Sequence, residues 1–244
     1  VLTSRGLGDV YKRQTYKLYS EAITSDKGIT KLKTRSLNAL SKKISYEDSW
    51  LIALKVAESL KTLHSKDLYH CNLKPSNILF DEGIDPSPML TDFAQGYLGG
   101  NEQIDLNDSL FFSHPNQLNG ESFLFNGNGQ RWDIYSFGAT MFKLLTGNHC
   151  RLNKEIEAFK KRKGNDSTHY SGISPNQVSR ALKRSPQISW PLPPSTRKEH
   201  SLRKLIERCL TLDENEEFSD MDSIIKEIKN CNPVKPKSNQ LKIK

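Results

Sequence analysis

The stretch Trp132-Asp-Ile-Tyr-Ser-Phe-Gly-Ala-Thr-Met-Phe-Lys-Leu-Leu145 constrains this chain more than any other. It reads as a helix that is apolar nearly all round, with Gly147 as its stop. A helix without a polar face belongs inside a core, so other elements must wrap it. The chain has the length for that: 244 residues with 35% hydrophobic content allow one sizeable domain. Ten Phe, three Trp and recurrent Leu and Ile exclude a wholly disordered chain. No apolar run approaches the ~18 residues that a membrane helix needs, so no membrane span is expected.

Other elements are legible around that helix. Ser45-x-x-Asp48 reads as a helix cap. Trp50, Leu54, Ala57, Leu60 and His64 then recur at helical spacing, flanked by Leu51, Val56 and Leu63, which predicts a helix ending near Ser65. A loop runs from Asp67 to Asn77, followed by short strands at Ile78–Phe80 and Met89–Thr91 with a turn at 81–83 between them. Residues 95–130 are rich in Gly and Asn with few periodic apolars, and read as a long surface segment. Residues 150–198 are basic, polar and Pro-rich, with one helix from Pro175 to Lys183. Leu202, Leu205, Ile206 and Cys209 mark another helix. Ser219-x-x-Asp222 caps a last one through Met221, Ile224, Ile225 and Ile228, and Pro233 ends ordered structure. Residues 15–44 are polar, with only a weakly amphipathic pattern from Lys31 to Lys43.

Charge bounds the partners. The formal net charge is +8, which raises the question of nucleic acid or anionic membranes. Neither the run Lys160-Lys-Arg-Lys163 nor the tail with Lys235, Lys237, Lys242 and Lys244 is interleaved with aromatics as a nucleic-acid groove would be. No specific nucleic acid is therefore expected, and the basic segment 151–163 reads as a solvated loop in preference to a docking site for an acidic partner or membrane surface. Cys71, Cys150, Cys209 and Cys231 are far apart and form no Cys-x-x-Cys pair, which fits reduced thiols in a cytoplasmic protein. Ser4 to Gln14 resemble the in-frame translation of a transposase adapter used to build sequencing libraries, and are set aside as a non-native leader. That exclusion removes Gly6-Leu-Gly8, an imitation of a phosphate loop that lacks the third Gly. It also removes Arg5, Lys12 and Arg13 against Asp9, so the charge falls from +8 to +6, and it implies a chain cut at its upstream end. The expected organisation is a leader at 1–14, one domain at 15–232 and a basic flexible tail at 233–244.

Three separated motifs carry chemistry. His70-Cys71-Asn72-Leu73-Lys74-Pro75-Ser76-Asn77 fills the loop; Asp92-Phe93-Ala94 follows the second short strand; Asp133-Ile134-Tyr135-Ser136-Phe137-Gly138 opens the central helix, which runs to Thr146-Gly147. In that order and on those elements they resemble the large lobe of a Ser/Thr protein kinase over roughly residues 45–230. The resemblance implies an α+β, mainly helical fold: a kinase-like large lobe with short β-strands around the catalytic loop, the small lobe being absent. It implies ATP and Mg²⁺ as cofactors. Asp92 would hold Mg²⁺, Asn77 would give an amide oxygen to a second metal, and Lys74 would place a positive charge near the transferred phosphate. His70 and Asp133 would support the loop, Asp133 by accepting hydrogen bonds from its backbone amides.

The departures from the family bear on function. Asn72 occupies the catalytic-base position, where the family has Asp; an amide keeps the shape but cannot take a proton near neutral pH. Losing a general base typically costs about 10²–10⁴ in rate. Cys71 replaces the Arg that pairs with a phosphorylated activation segment. Ala94 replaces a Gly with unusual backbone freedom. Ser113-His114-Pro115-Asn116 stands where the family has Ala-Pro-Glu, and Glu217 stands where the late Arg partner of that Glu would be, so both halves of the ion pair are missing and the local packing must differ. No glycine-rich loop, strand Lys or helix Glu of a small lobe is found, which leaves half of an ATP site. Two readings remain: a pseudokinase-type module that binds a protein partner, with Mg-nucleotide binding in the complete chain, or a weakly active Ser/Thr kinase acting on a protein hydroxyl.

Overall fold

The computed structural model describes residues 20–24, 30–34, 46–80, 88–93, 110–121, 127–157 and 174–232, the first two as backbone only. The expectations for the leader, Ser45, the turn at 81–83, Ala94, Lys160–Lys163 and the tail lie outside these residues. In chain order the elements are β1 (Ser20–Thr24), β2 (Thr30–Thr34), α1 (Tyr46–His64), a 3₁₀ turn (Pro75–Asn77), β3 (Ile78–Phe80), β4 (Pro88–Leu90), α2 (Pro115–Leu118), α3 (Asn128–Thr146), α4 (Pro175–Arg184), α5 (Arg197–Cys209) and α6 (Met221–Asn230). The fold is α+β and mainly helical, with short strands beside the catalytic loop.

The core is built on α3. Trp132, Ile134, Tyr135, Phe137, Met141, Phe142 and Leu144 are all buried, and so are Asp133, Ser136 and Thr140. Phe137 and Phe142, both fully enclosed, each contribute about 1.5–3 kcal/mol of burial. Helices α1 and α5 pack on α3, and α6 packs on α1 and α5. Gly138 lets α5 come close: a Cβ there would lie 2.8 Å from Cys209 Cβ and 3.0 Å from Leu210 Cγ. Trp50 Nε1 donates to the Ile228 carbonyl at 2.7 Å, which ties α1 to α6. Gly147 ends α3 in the left-handed region (φ 73°), its N–H donating to the Lys143 carbonyl at 2.8 Å. Strands β3 and β4 pair antiparallel, Ile78 opposite Leu90 and Phe80 opposite Pro88. They bring the ends of the two motif loops together.

Several expectations are corrected. The buried stripe of α1 is Ser49, Trp50, Ile52, Ala53, Val56, Ala57 and Leu60, while Leu54 and His64 are only half-buried; β4 as well as α3 and α6 covers this helix, so its buried face is turned and broadened. β4 begins and ends one residue earlier than expected. The segment 95–130 is not all surface: Leu110, Phe111, Phe112, Ser113, His114 and Leu118 are buried, and α2 interrupts it. The last helix is capped by Asp220, whose carboxylate accepts from Ser223 N at 2.7 Å, while the Ser219 hydroxyl donates to Asp220. Ser20–Thr24 and Thr30–Thr34, in a stretch read only as polar, form the antiparallel β1–β2 pair with Ser20 opposite Thr34. Arg151 is not solvated. Its guanidinium donates to the Pro186 carbonyl at 2.6 and 2.8 Å, to the Leu210 carbonyl at 2.8 Å and to Tyr135 OH at 3.1 Å.

Candidate active site

The loop 70–77 hangs on Asp133. This carboxylate is fully buried near the start of α3 and accepts from His70 N at 2.7 Å and Cys71 N at 2.6 Å. His64 Nε2, from the last turn of α1, lies 2.9 Å from the same carboxylate. His64 is thus a third partner of Asp133, one that the sequence did not reveal. Charge-assisted bonds of this kind are roughly twice as strong as neutral ones. They hold Cys71 in the left-handed region (φ 54°), which costs a side-chain-bearing residue about 1–2 kcal/mol. The other end of that peptide is also pinned: Gln117 Nε2, on α2, donates to the Cys71 carbonyl at 2.6 Å.

Five polar residues interlock beyond that anchor. Asn72 N donates to His70 Nδ1 at 3.2 Å, and Asn72 Nδ2 donates to the Asp92 carbonyl at 2.9 Å. Asn77 Nδ2 donates to the Asn72 carbonyl at 2.8 Å, and Thr91 N donates to the Asn77 carbonyl at 3.0 Å. The catalytic loop and the Asp92 segment are thus sewn together through Asn72 and Asn77. Asp92 takes φ 61°, and the following Phe93 stacks on His70 with ring centroids 4.7 Å apart. Burial pushes the His70 pKa down, against the pull of Asp133 and Asp92. A neutral ring accepting at Nδ1 carries its proton on Nε2.

The donor set suits Mg²⁺ with a nucleotide. Mg²⁺ prefers one or two carboxylates with phosphate and water oxygens over a cage made only of protein. Asp92 is half-buried and brings a carboxylate, while Asn77 brings an amide oxygen whose nitrogen is already spent on the loop backbone. Among the described residues no three His, Cys, Asp or Glu side chains gather into a protein-only metal site. Lys74, half-buried, precedes the 3₁₀ turn in extended conformation.

The sites of the family's ionic contacts hold other interactions. Cys71 is buried against Trp132 and Tyr69, and burial raises its pKa well above that of an ordinary thiol, so it is packing and not a nucleophile. Glu217 meets Arg131, one residue before Trp132, in two bonds of 2.6 and 3.0 Å, and Arg131 also reaches Glu214 at 3.1 Å. His114 caps α2 by accepting from Asn116 N at 3.2 Å, and sits edge-on to Tyr135 at 5.2 Å. Sequence reading missed Gln117, His64 and Arg131. Their partners lie 46, 69 and 86 positions away, and no local pattern marks them.

Comparison with known proteins points the same way. The family described as "Protein kinase domain" matches residues 10–230. A probable serine/threonine-protein kinase of Dictyostelium discoideum is 32% identical over 109 residues, which cover 43% of this chain and 16% of that protein. A G-type lectin S-receptor-like serine/threonine-protein kinase of Oryza sativa subsp. japonica is 34% identical over 109 residues, covering 43% and 13% respectively. A probable receptor-like protein kinase of Arabidopsis thaliana is 27% identical over 127 residues, covering 49% and 26%. The chain thus spans about a quarter or less of the length of these relatives. No helix among the described residues is long and apolar enough to cross a membrane. An Asp133-anchored loop, an Asp-Phe segment stacked on it and a family match over most of the sequence agree, and the chain belongs to the protein kinase domain family.

Proposed function

We propose that residues 15–232 are the large-lobe part of a pseudokinase-type module, a kinase fold that works by binding a protein partner, with Mg-nucleotide binding in the full-length protein. The observation that carries this reading is the side chain of Asn72. Its amide nitrogen is a donor, spent on the Asp92 carbonyl at 2.9 Å. A carboxylate in the same rotamer would turn an acceptor toward that carbonyl oxygen, so the site as built favours the amide. An amide can steer a substrate hydroxyl and cannot deprotonate it. Asp92, Asn77 and Lys74 support the nucleotide half of the reading, with Asp92 and Asn77 toward the metal ions and Lys74 toward the phosphates.

The test is a thermal-shift titration of the full-length protein with ATP and Mg²⁺, paired with transfer of labelled γ-phosphate to a generic protein substrate. The expected result is a stabilising shift that Asp92→Ala abolishes, and phosphate transfer at background. Absence of a shift in the unmodified protein removes nucleotide binding. Transfer at about 1–100 s⁻¹, an ordinary kinase rate, that Asp92→Ala abolishes removes the pseudokinase reading. The intact Asp133 anchor and the His70–Phe93 stack favour the second reading, a weakly active Ser/Thr kinase; slow transfer that rises in Asn72→Asp would select it.

A further inference from the structure

Helix α4 presents a second site, separate from the catalytic loop. A groove of about 460 Å³ opens between α4 and residues 152–155. Leu152 and Ala181 line it, with Arg180 and Arg184 along the α4 edge and Glu155 among the remaining wall residues. Arg180 and Arg184 are one turn apart and share a helix face. Both are exposed, as is Lys183 beside them, and none of the three makes a hydrogen bond or ion pair among the described residues. The other arginines near the core are engaged: Arg151 by carbonyls, Arg131 by Glu217, Arg203 by Glu199 and Arg208 by Glu227.

Two bland explanations fall short. A cation in the last turn complements the helix dipole, which accounts for Lys183 or Arg184 but not for Arg180 a turn earlier. Nor is α4 a loose solvated segment. Ser174 and Gln177 form a full capping box, Val178 and Leu182 are buried, and buried Ser179 Oγ donates to the Pro115 carbonyl at 2.8 Å. The arginines therefore stand on a rigid support, which lowers the ordering cost of binding. Charge in the surrounding sequence has the same sign. Residues 151–184 contain nine Lys and Arg against three Asp and Glu, so this stretch supplies most of the chain's +8.

We propose that this groove docks an acidic segment of a partner protein. An aliphatic side chain of that segment seats over Leu152 and Ala181, and flanking carboxylates pair with Arg180 and Arg184. Guanidinium forks match carboxylates in two parallel bonds, which a lysine cannot do. Glu155 on the groove wall disfavours carboxylates on its side and so fixes which edge of the peptide carries them. The surface is distinct from the nucleotide site, and its test stands whether or not nucleotide binds.

The test is fluorescence anisotropy of the full-length protein with a labelled peptide of alternating Glu and Leu, and the same peptide with Gln for Glu. The expected result is saturable binding of the acidic peptide only, weakened about tenfold or more by Arg180→Glu with Arg184→Glu, and by added salt. Lys226→Glu, a charge reversal at an exposed position of α6, leaves it unchanged. Melting temperature is read on each variant; if the Glu pair fails to fold, Arg180→Gln with Arg184→Gln takes its place with the same expectation. No saturable peptide binding, or binding that the groove variants leave intact, overturns the proposal. So does tighter binding to phosphatidylserine-containing vesicles or to single-stranded RNA than to the peptide.

Discussion

Asp133→Asn tests the construction of the site at its most buried point. The substitution keeps the volume and replaces one carboxylate oxygen by an NH₂ group. Oδ1 accepts from Cys71 N at 2.6 Å, and Oδ2 accepts from His70 N at 2.7 Å with His64 Nε2 at 2.9 Å. The less costly amide orientation keeps its oxygen at the Oδ2 position and turns NH₂ toward Cys71 N–H. One buried amide is then stranded, at about 1–3 kcal/mol. The two surviving bonds lose charge assistance, at about 0.5–1 kcal/mol each, with part of the total offset by no longer burying a charge. The net expected loss is about 2–4 kcal/mol, which lowers the melting temperature by about 5–15 °C for a domain of this size. Urea denaturation supplies the free energy, and hydrogen exchange at Cys71 supplies the location: that amide should exchange faster than the α6 amides of the same variant. A loss below about 1 kcal/mol, or an exchange rate at Cys71 no faster than before, would refute the anchor.

Other consequences are independent of that anchor. Burial, reinforced by Arg131, Lys183 and Arg151, lowers the His114 pKa to about 3. Folded His114 stays neutral where the unfolded chain takes up a proton below about pH 6.5, so stability falls as pH drops through the window from about 6.5 to about 3, by up to about 1.4 kcal/mol per unit. His70, also lowered by burial, acts in the same direction. His114→Asn, which keeps a capping side chain and does not titrate, should flatten the slope measured by urea titrations between pH 7 and 5, and an unchanged slope would clear His114 of the effect. Arg131→Met should cost about 1.5–3 kcal/mol by stranding half-buried Glu217, and exchanging the two as Arg131→Glu with Glu217→Arg should recover at least half of it in a double-mutant cycle. Gly138→Ala should lose about 1–2 kcal/mol, because its Cβ would press on Cys209 Cβ at 2.8 Å and outweigh the usual gain of about 1 kcal/mol for Ala in a helix. A raised melting temperature would show that α3 and α5 do not approach so closely.

The parts of the molecule legible in the sequence are those specified locally. The central helix announces itself because both its faces are apolar, and burial on all sides follows. The loop 70–77 and the Asp92 segment were legible through residue order, and the one long-range contact foreseen, Asp133 to the loop amides, came with the family resemblance. What stayed hidden is held by partners that leave no pattern. Arg151 sits in a polar string, yet all but one of its bonds go to backbone carbonyls at 186 and 210, which any residue would supply. Leu110, Phe111, Phe112 and Leu118 follow neither a helical nor a strand period, so the sequence reads as loop even though tertiary packing buries them. The capping box of α4, Ser174-Pro-Asn-Gln177, is a local pattern that went unread, whereas Asp220 and Ser219 are equally good caps on paper.

Cys71 and Gln117 suggest how this loop dispenses with an ionic tether. In the family an Arg at position 71 ties the loop to a phosphorylated segment; here the side chain is apolar, packed on Trp132, and a neutral amide from α2 grips the backbone instead. The gripping atom is buried and the bond is short, so its loss cannot be made good by water. Gln117→Leu strands the Cys71 carbonyl and should cost about 1–3 kcal/mol. The cost should be local, since α2 and the loop are joined through that bond while Asp133 still holds the neighbouring amides. Hydrogen exchange should therefore rise at Asn72 and across α2 with the central helix unchanged, and no phosphorylation should be needed to keep the unmodified loop protected. If the unmodified protein shows an unprotected loop that becomes ordered only after phosphorylation, the amide is not the tether and the charge lost at position 71 is supplied from elsewhere.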